Sequence, residues 1–378
     1  LSARERPSRS PRDLDLDAPL DELVEEVERP KKLVGVPTLL GFALVIGALL
    51  AVVFPTRAEY ARLAEVEQPD AYSVAYLEVL VRANPNDAGL RMVHVKQLSK
   101  LGRYDAAEEV LRPLLSDPHA TAARALQFDL RLAHARAQEE GTSARKAAFD
   151  GVIALLPPLV AETSSIPRLR ELAGIAAGLG RQDLVGEILG RLAEVSPPEA
   201  RPALRAEAAH AWVEGGDLAR AAELFDSAAA TDPDPSRAKE WARQALKADE
   251  ARDVYAAADR ATIYAKRWWA DVEFIETATR LSTACGRARS AREFGRRLVE
   301  LGPVTDALLR AQAKRELAAA DPRAALGLVS QLIARHPDDA LLREARARIA
   351  EWAGDQELAL TDWLWLLAKG APPRGVQL

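Results

Sequence analysis

A glycine, a small residue five positions on, a large apolar residue four further on and a proline twelve after the small residue recur along this 378-residue chain. Gly216, Ala221, Phe225 and Pro233 give the complete set, and Gly180, Val185, Leu189 and Pro197 repeat it with Val for Ala. Gly102, Ala107 and Leu111 keep three marks, with Pro118 one residue early. Gly286, Ala291 and Pro303 hold their places, while Gly295 stands where the large residue belongs. Ala320, Ala325, Val329 and Pro337 match with alanine at the glycine mark. Gly354, Ala359 and Trp363 match with the proline slipping to Pro372, and Ser73, Leu77 and Pro85 form a first partial copy. The small-residue marks at 185, 221, 291, 325 and 359 lie 36, 70, 34 and 34 apart, the 70 being two units, one of them degenerate near 248–262. From 107 to 185 is again two units, including a longer pair between 119 and 156.

A period near 34 residues with these marks is that of the tetratricopeptide repeat, two antiparallel helices per unit. The glycine or alanine permits the tight turn before the second helix, and the small residue lets the two helices approach. The large residue fills the groove towards the next unit, and proline stops the second helix. No single unit can bury its apolar face, so neighbours must stack. The pattern predicts an all-α chain with a right-handed superhelical solenoid over 71–370 and a tail at 371–378. Composition agrees. Aromatic residues are only 5%, which suits close helix crossings and argues against a sandwich or barrel. A single cysteine, Cys285, excludes an intrachain disulfide framework, and its place in an Ala-rich helical segment predicts a packed thiol. A net charge of -5 argues against nucleic acid as a partner.

Residues 33–54 carry no charge and are long enough to span a bilayer, so they read as an uncleaved signal anchor with the lipid bilayer as partner. Arg29, Lys31 and Lys32 before the span against Arg57 and Arg62 after it place the N-terminus in the cytoplasm and the repeats in the periplasm, the anchor lying in the inner membrane. The tail 1–32 divides into a polar, partly disordered stretch and a short acidic amphipathic helix around Leu20, Leu23, Val24 and Val27, and 55–70 is a linker. The chain begins with Leu1 and has its only methionine at Met92, which suggests an unusual start or an incomplete N-terminus.

Little in the sequence carries chemistry. Phosphate-binding glycine loops, HExxH and Gly-x-Ser-x-Gly are absent, and His94, His119, His134, His210 and His336 are scattered over different repeats. The expectation is a non-enzyme without cofactor or metal. Two features remain as partner-binding candidates. Trp268 and Trp269 are adjacent, and adjacent residues on a helix cannot both face one core. One of them is then exposed to a partner or a sugar, unless a wide inter-repeat core takes both. Arg289, Arg292 and Arg296 share a helix face with Arg287 and Arg297 nearby. That face suits an acidic partner, unless neighbouring carboxylates neutralise it.

The span ending in FPTR, the segment EQPDAYSVAYLEVLVRANPNDAGLRMVHVKQLSKLGRYDAAEEVLRPL and the late segment REARARIAEWAGDQELALTDWLWLLAKG together resemble the PelB family of Pel exopolysaccharide export over residues 33–370. The resemblance implies a periplasmic scaffold that recruits a polysaccharide-modifying enzyme and guides polymer towards a C-terminal β-barrel. No barrel-like alternation follows residue 340, and Trp363, Trp365, Leu366 and Leu367 form an apolar helix without a cap. A fragment, a barrel on a separate chain and a docked end all account for this. A general periplasmic helper in protein translocation or envelope assembly is the alternative function.

Overall fold

The computed structural model describes residues 35–53, 70–117 and 120–370, and every regular element among them is a helix. The predicted tail 1–32, the linker 55–69, Pro118, His119 and the segment 371–378 with Pro372 lie outside the described residues.

The first helix, α1 (Val36–Val53), is apolar throughout, and each of its described side chains is exposed. Those side chains cover residues 37–49, a rise of about 20 Å against the roughly 30 Å of a hydrocarbon core. Among the described residues, no helix is long and apolar enough to cross a membrane.

The chain divides into two compact units, 1–116 and 117–378. In the first, α2 (Ala71–Ala83) and α3 (Ala88–Lys100) pack around Leu77, Leu80 and Leu90, α4 (Tyr104–Leu111) packs on α3, and a 3-10 turn follows at Arg112–Ser116. The second unit is a run of seven antiparallel pairs, each helix packed on its neighbours in sequence. They are α5 (Thr121–Ala137) with α6 (Ser143–Glu162), α7 (Ile166–Gly178) with α8 (Gln182–Val195), and α9 (Arg201–Glu214) with α10 (Leu218–Thr231). Then come α11 (Pro235–Arg252) with α12 (Val254–Arg267), α13 (Val272–Ala284) with α14 (Ala288–Leu301), α15 (Asp306–Ala318) with α16 (Pro322–Arg335), and α17 (Ala340–Ala353) with α18 (Gln356–Ala368).

The glycine marks become one kind of turn. The N–H groups of Arg103, Arg181, Asp217, Arg287, Asp321 and Asp355 each donate to the carbonyl five residues back, at 2.8 to 3.0 Å. This is the six-to-one bond of a Schellman cap, and it needs a left-handed residue just before the donor. Five of those residues are glycines with φ between 68° and 84°, and the sixth is Ala320 at φ 59°. Alanine there costs about 1–2 kcal/mol of left-handed strain, partly offset by the lower chain entropy it gives up on folding. Ala320→Gly is therefore expected to raise stability by about 0.5–1 kcal/mol and Gly286→Ala to lower it by a similar amount or more. Urea denaturation checks both, and a less stable Ala320→Gly variant would overturn the strain argument.

The degenerate unit near 248–262 is a pair without this turn. Only Asp253, in an extended conformation, separates α11 from α12, and its carboxylate caps α12 by accepting from Tyr255 N at 2.9 Å. The longer pair is α5 and α6, turned through Gly141 and carrying Pro157 and Pro158 inside α6. At the second-helix ends the stop is regular. Ala83, Val195, Thr231, Leu301 and Arg335 each close a helix two residues before Pro85, Pro197, Pro233, Pro303 and Pro337.

The packing marks fall as expected in most units: Ala107, Ala221, Ala291, Ala325 and Ala359 are buried, with Leu111, Phe225 and Val329 beside them. Leu189 and Trp363 are half-buried, and the Trp363 indole donates to Glu351 at 2.8 Å. Gly295 breaks the pattern for a visible reason. A Cβ at that position would lie 1.9 Å from Oε1 of Gln312, a buried side chain of the next helix. That glutamine fills the groove a large residue fills elsewhere. It donates to the Arg292 carbonyl at 3.1 Å and to Glu316 at 2.8 Å, and Arg296 closes on the buried Glu316 at 2.7 and 2.8 Å.

Candidate protein-docking surface

The tryptophan pair lies just beyond a helix end. α12 stops at Arg267, so the helical constraint on adjacent residues does not hold across Trp268 and Trp269. Trp268 turns inward, its ring stacked on Phe274 at 4.6 Å and covered by the Arg267 guanidinium at 4.6 Å. Trp269 stays 37% exposed, between Phe294 and the guanidinium of Arg297, which also donates to its carbonyl at 3.0 Å. Both rings therefore take part in inter-repeat packing, with Trp269 the more exposed of the two.

The arginine face of α14 is largely spent within the chain. Arg287 pairs with Asp259 at 2.6 Å, Arg296 with Glu316 and Asp321, Arg292 with Asp321 at 3.6 Å, and Arg297 with Glu300 at 2.9 Å. Arg289 alone is exposed with no ion pair among the described residues. The neutralised face is the form that the structure takes.

Exposed functional groups concentrate instead on the first helices of the pairs. Between α11 and α13 these faces are tied together by Lys239 to Asp271 at 2.6 Å, Arg243 to Glu273 at 2.7 Å and Arg280 to Glu250 at 2.6 Å. Further along, the same face is less committed. Arg310 and Lys314, one turn apart on α15, are exposed and make no ion pair among the described residues. On α17, Leu341 and Trp352 are 60% and 66% exposed. Eleven residues separate these two, so they share a face, and Arg348 lies between them on it. Arg280, Lys314 and Arg348 recur at 34-residue intervals, so successive repeats present a cation at the equivalent position. Arg280 is spent on Glu250 and Arg348 on Glu344, so it is Arg310, Lys314, Leu341 and Trp352 that offer the cation and apolar groups a protein partner's acidic and apolar side chains require. The 34-residue recurrence was the sequence signal for this surface.

Buried carboxylates, by contrast, are structural. Asp232 accepts from Arg237, from the Trp241 indole at 3.2 Å and from Asp234 N at 2.9 Å. The Arg237 guanidinium, first among these partners, holds its carboxyl below the ordinary value. A group lowered in the folded state stabilises the fold above about pH 4, and that contribution is lost as pH falls further. The stability gap between the native chain and Asp232→Asn is thus expected to shrink from pH 7 to pH 3 in parallel denaturation curves. A gap that widens on acidification would contradict this. Tyr264, buried and donating to Asp226 at 2.6 Å, is pushed well above the usual phenol range by burial and then by that carboxylate.

No group of three or more His, Cys, Asp or Glu side chains is placed to hold a metal among the described residues. His94 is buried, and burial lowers its pKa. His210 packs edge-on against Phe225 at 4.9 Å, and His336 contacts Asp306. Cys285 is half-buried at the end of α13, its Sγ 3.6 Å from the Val254 carbonyl.

The turn geometry and period define a helical-repeat protein of tetratricopeptide type. No family model matches the sequence, and no curated protein matches it. Among solved structures, the Naa15/Naa10 complex bound to HypK-THB is similar at 14% identity and a TM-score of 0.34, covering 83% of this chain and 47% of that one. This chain thus spans about half the length of that relative. The C-terminal part of a TPR repeat-containing protein from Cytophaga hutchinsonii is similar at 12% identity and a TM-score of 0.29, covering 67% of this chain and 98% of that one. Likeness of this degree carries no argument about function.

Proposed function

We propose that this chain is a membrane-anchored scaffold that captures protein partners on the first-helix face of α15 and α17. The observation that carries the reading is the uncommitted set Arg310, Lys314, Leu341 and Trp352, exposed where earlier repeats cross-link the same face with ion pairs. An acidic segment with apolar side chains fits it. Anchoring through 33–54 is supported by α1, where the described side chains at 37–49 are uncharged and all exposed, an arrangement suited to lipid rather than water. The charge bias around the span puts the repeats in the periplasm. The partner is a polysaccharide-modifying enzyme of a Pel-type export system, a reading supported by the resemblance of the span and the first and last repeats to the PelB family.

The test of the docking surface is co-purification with the detergent-solubilised full chain. Arg310→Glu with Lys314→Glu is expected to cut partner capture about tenfold, a loss near 1.4 kcal/mol. Arg289→Glu is expected to leave capture unchanged. Equal capture by all three proteins removes the surface from consideration. Genes for a polymer deacetylase and a glycosyltransferase beside this one support the export system, and their absence argues against it.

A further inference from the structure

α8 carries glycines at positions 186 and 190, one turn apart in its interior, where glycine costs a helix about 1 kcal/mol relative to alanine. Packing explains Gly186, because a Cβ there would sit 2.6 Å from the indole nitrogen of Trp212. It does not explain Gly190, around which nothing lies within 4 Å of an added Cβ. Gly190 instead keeps open a groove of about 600 Å³ between α6, α8, α9 and α10, lined by Val160, Leu224 and Trp212 among others.

The groove holds unmet demands of two kinds. Trp212 is only 8% exposed and lines the groove, its indole nitrogen packed against Gly186. Nε of Arg191, which lines the same groove, is buried and has no hydrogen-bond partner among the described residues. A buried donor without an acceptor costs about 1–3 kcal/mol, so an incoming acceptor is favoured. The charges at the rim point the other way. Arg191 is matched by Glu194 at 2.8 Å, while Arg220 meets Asp217 at 3.4 Å and lies over the Trp212 ring at 4.6 Å. Glu187 and Glu223 are exposed and make no ion pair among the described residues, which leaves the rim with negative charge to spare. An acceptor at the floor and a cation at the rim are combined in one common group: a main-chain carbonyl next to a lysine or arginine side chain.

We infer that this groove binds a basic peptide segment, with a backbone carbonyl accepting from Arg191 Nε beside the Trp212 ring and the cationic side chain meeting Glu187 and Glu223. The Arg220 guanidinium covers the indole face, so the ligand engages the ring edge rather than stacking on it. The site lies apart from the α15 and α17 surface and has the opposite charge preference, so the two stand or fall separately.

The test is fluorine NMR of the detergent-solubilised full chain labelled with 5-fluorotryptophan, the Trp212 signal being assigned by its loss in Trp212→Phe. The probes are capped Lys-Leu-Lys and Glu-Leu-Glu tripeptides. The basic probe is expected to move the Trp212 signal saturably, and the acidic one is not. Glu187→Gln with Glu223→Gln is expected to weaken the response about tenfold. Gly190→Leu, whose Cβ meets nothing within 4 Å and whose chain extends into the groove, is expected to abolish it while circular dichroism and the melting temperature stay near native. No shift with the basic probe, an equal shift with the acidic one, or a response indifferent to both glutamates would overturn the assignment.

Discussion

Asp362→Ala is expected to cost about 3–5 kcal/mol of unfolding free energy, because it leaves two arginines partly buried without a counter-charge. Asp362 is fully buried on α18. It accepts from Arg346 at 2.6 and 2.7 Å in a bidentate pair and from Arg343 at 3.0 Å, both on α17. Arg346 and Arg343 are themselves only 13% and 18% exposed. Arg343 also spans the Trp365 ring at 4.8 Å, so the cluster positions the last tryptophans as well. The net worth of the cluster is smaller than this loss, since charge desolvation offsets much of its Coulomb gain. Asp362→Leu with Arg343→Met and Arg346→Met is accordingly expected to recover most of the stability. Urea denaturation of the set decides it: a loss below about 1 kcal/mol for Asp362→Ala would mean that the arginines find other partners.

Gly295→Leu would restore the large residue that the repeat pattern asks for, yet it is expected to destabilise the fold by about 3 kcal/mol. The leucine gains nothing here because its space is already full. Its first carbon would fall 1.9 Å from Gln312 Oε1 and 3.1 Å from the Arg315 chain. Gln312 can swing aside only by surrendering its bonds to the Arg292 carbonyl and Glu316 inside the core. Gly295→Leu combined with Gln312→Ala is expected to be more stable than Gly295→Leu alone, since the apolar packing of the other units then becomes possible. If Gly295→Leu alone is as stable as the native chain, the polar network is looser than its hydrogen bonds imply.

These two sites also show how far a periodic sequence can be read. The Gly, Ala, Phe and Pro marks of residues 216–233 forecast a turn, a close crossing, a filled groove and a stop, and all four are present. Each depends on backbone conformation or side-chain volume within one unit, properties that belong to the residue itself. The tryptophan pair leaves one ring, Trp269, partly exposed, but not for the helical reason, because α12 ends at Arg267 before both rings. The α14 arginines drew attention because their acidic partners, Asp259, Glu316 and Asp321, lie 20 or more residues away in the sequence. Arg310, Lys314, Leu341 and Trp352 went unnoticed for the converse reason, since a residue left uncovered is defined by what neighbouring repeats fail to supply.

The sequence by itself determined the helical class, the unit length, the position of nearly every turn and the apolar stretch at 36–53. Local rules suffice for these, because a left-handed glycine, a proline stop and an uncharged run act over a few bonds or a single helix. Tertiary structure decided the rest: which arginines are spent on buried carboxylates, why Gly295 and Gly186 must lack a side chain, and where the Arg191 Nε donor is left without a partner beside an open groove. Those outcomes are set by pairs of residues brought together by stacking, and stacking distance is written in no single repeat.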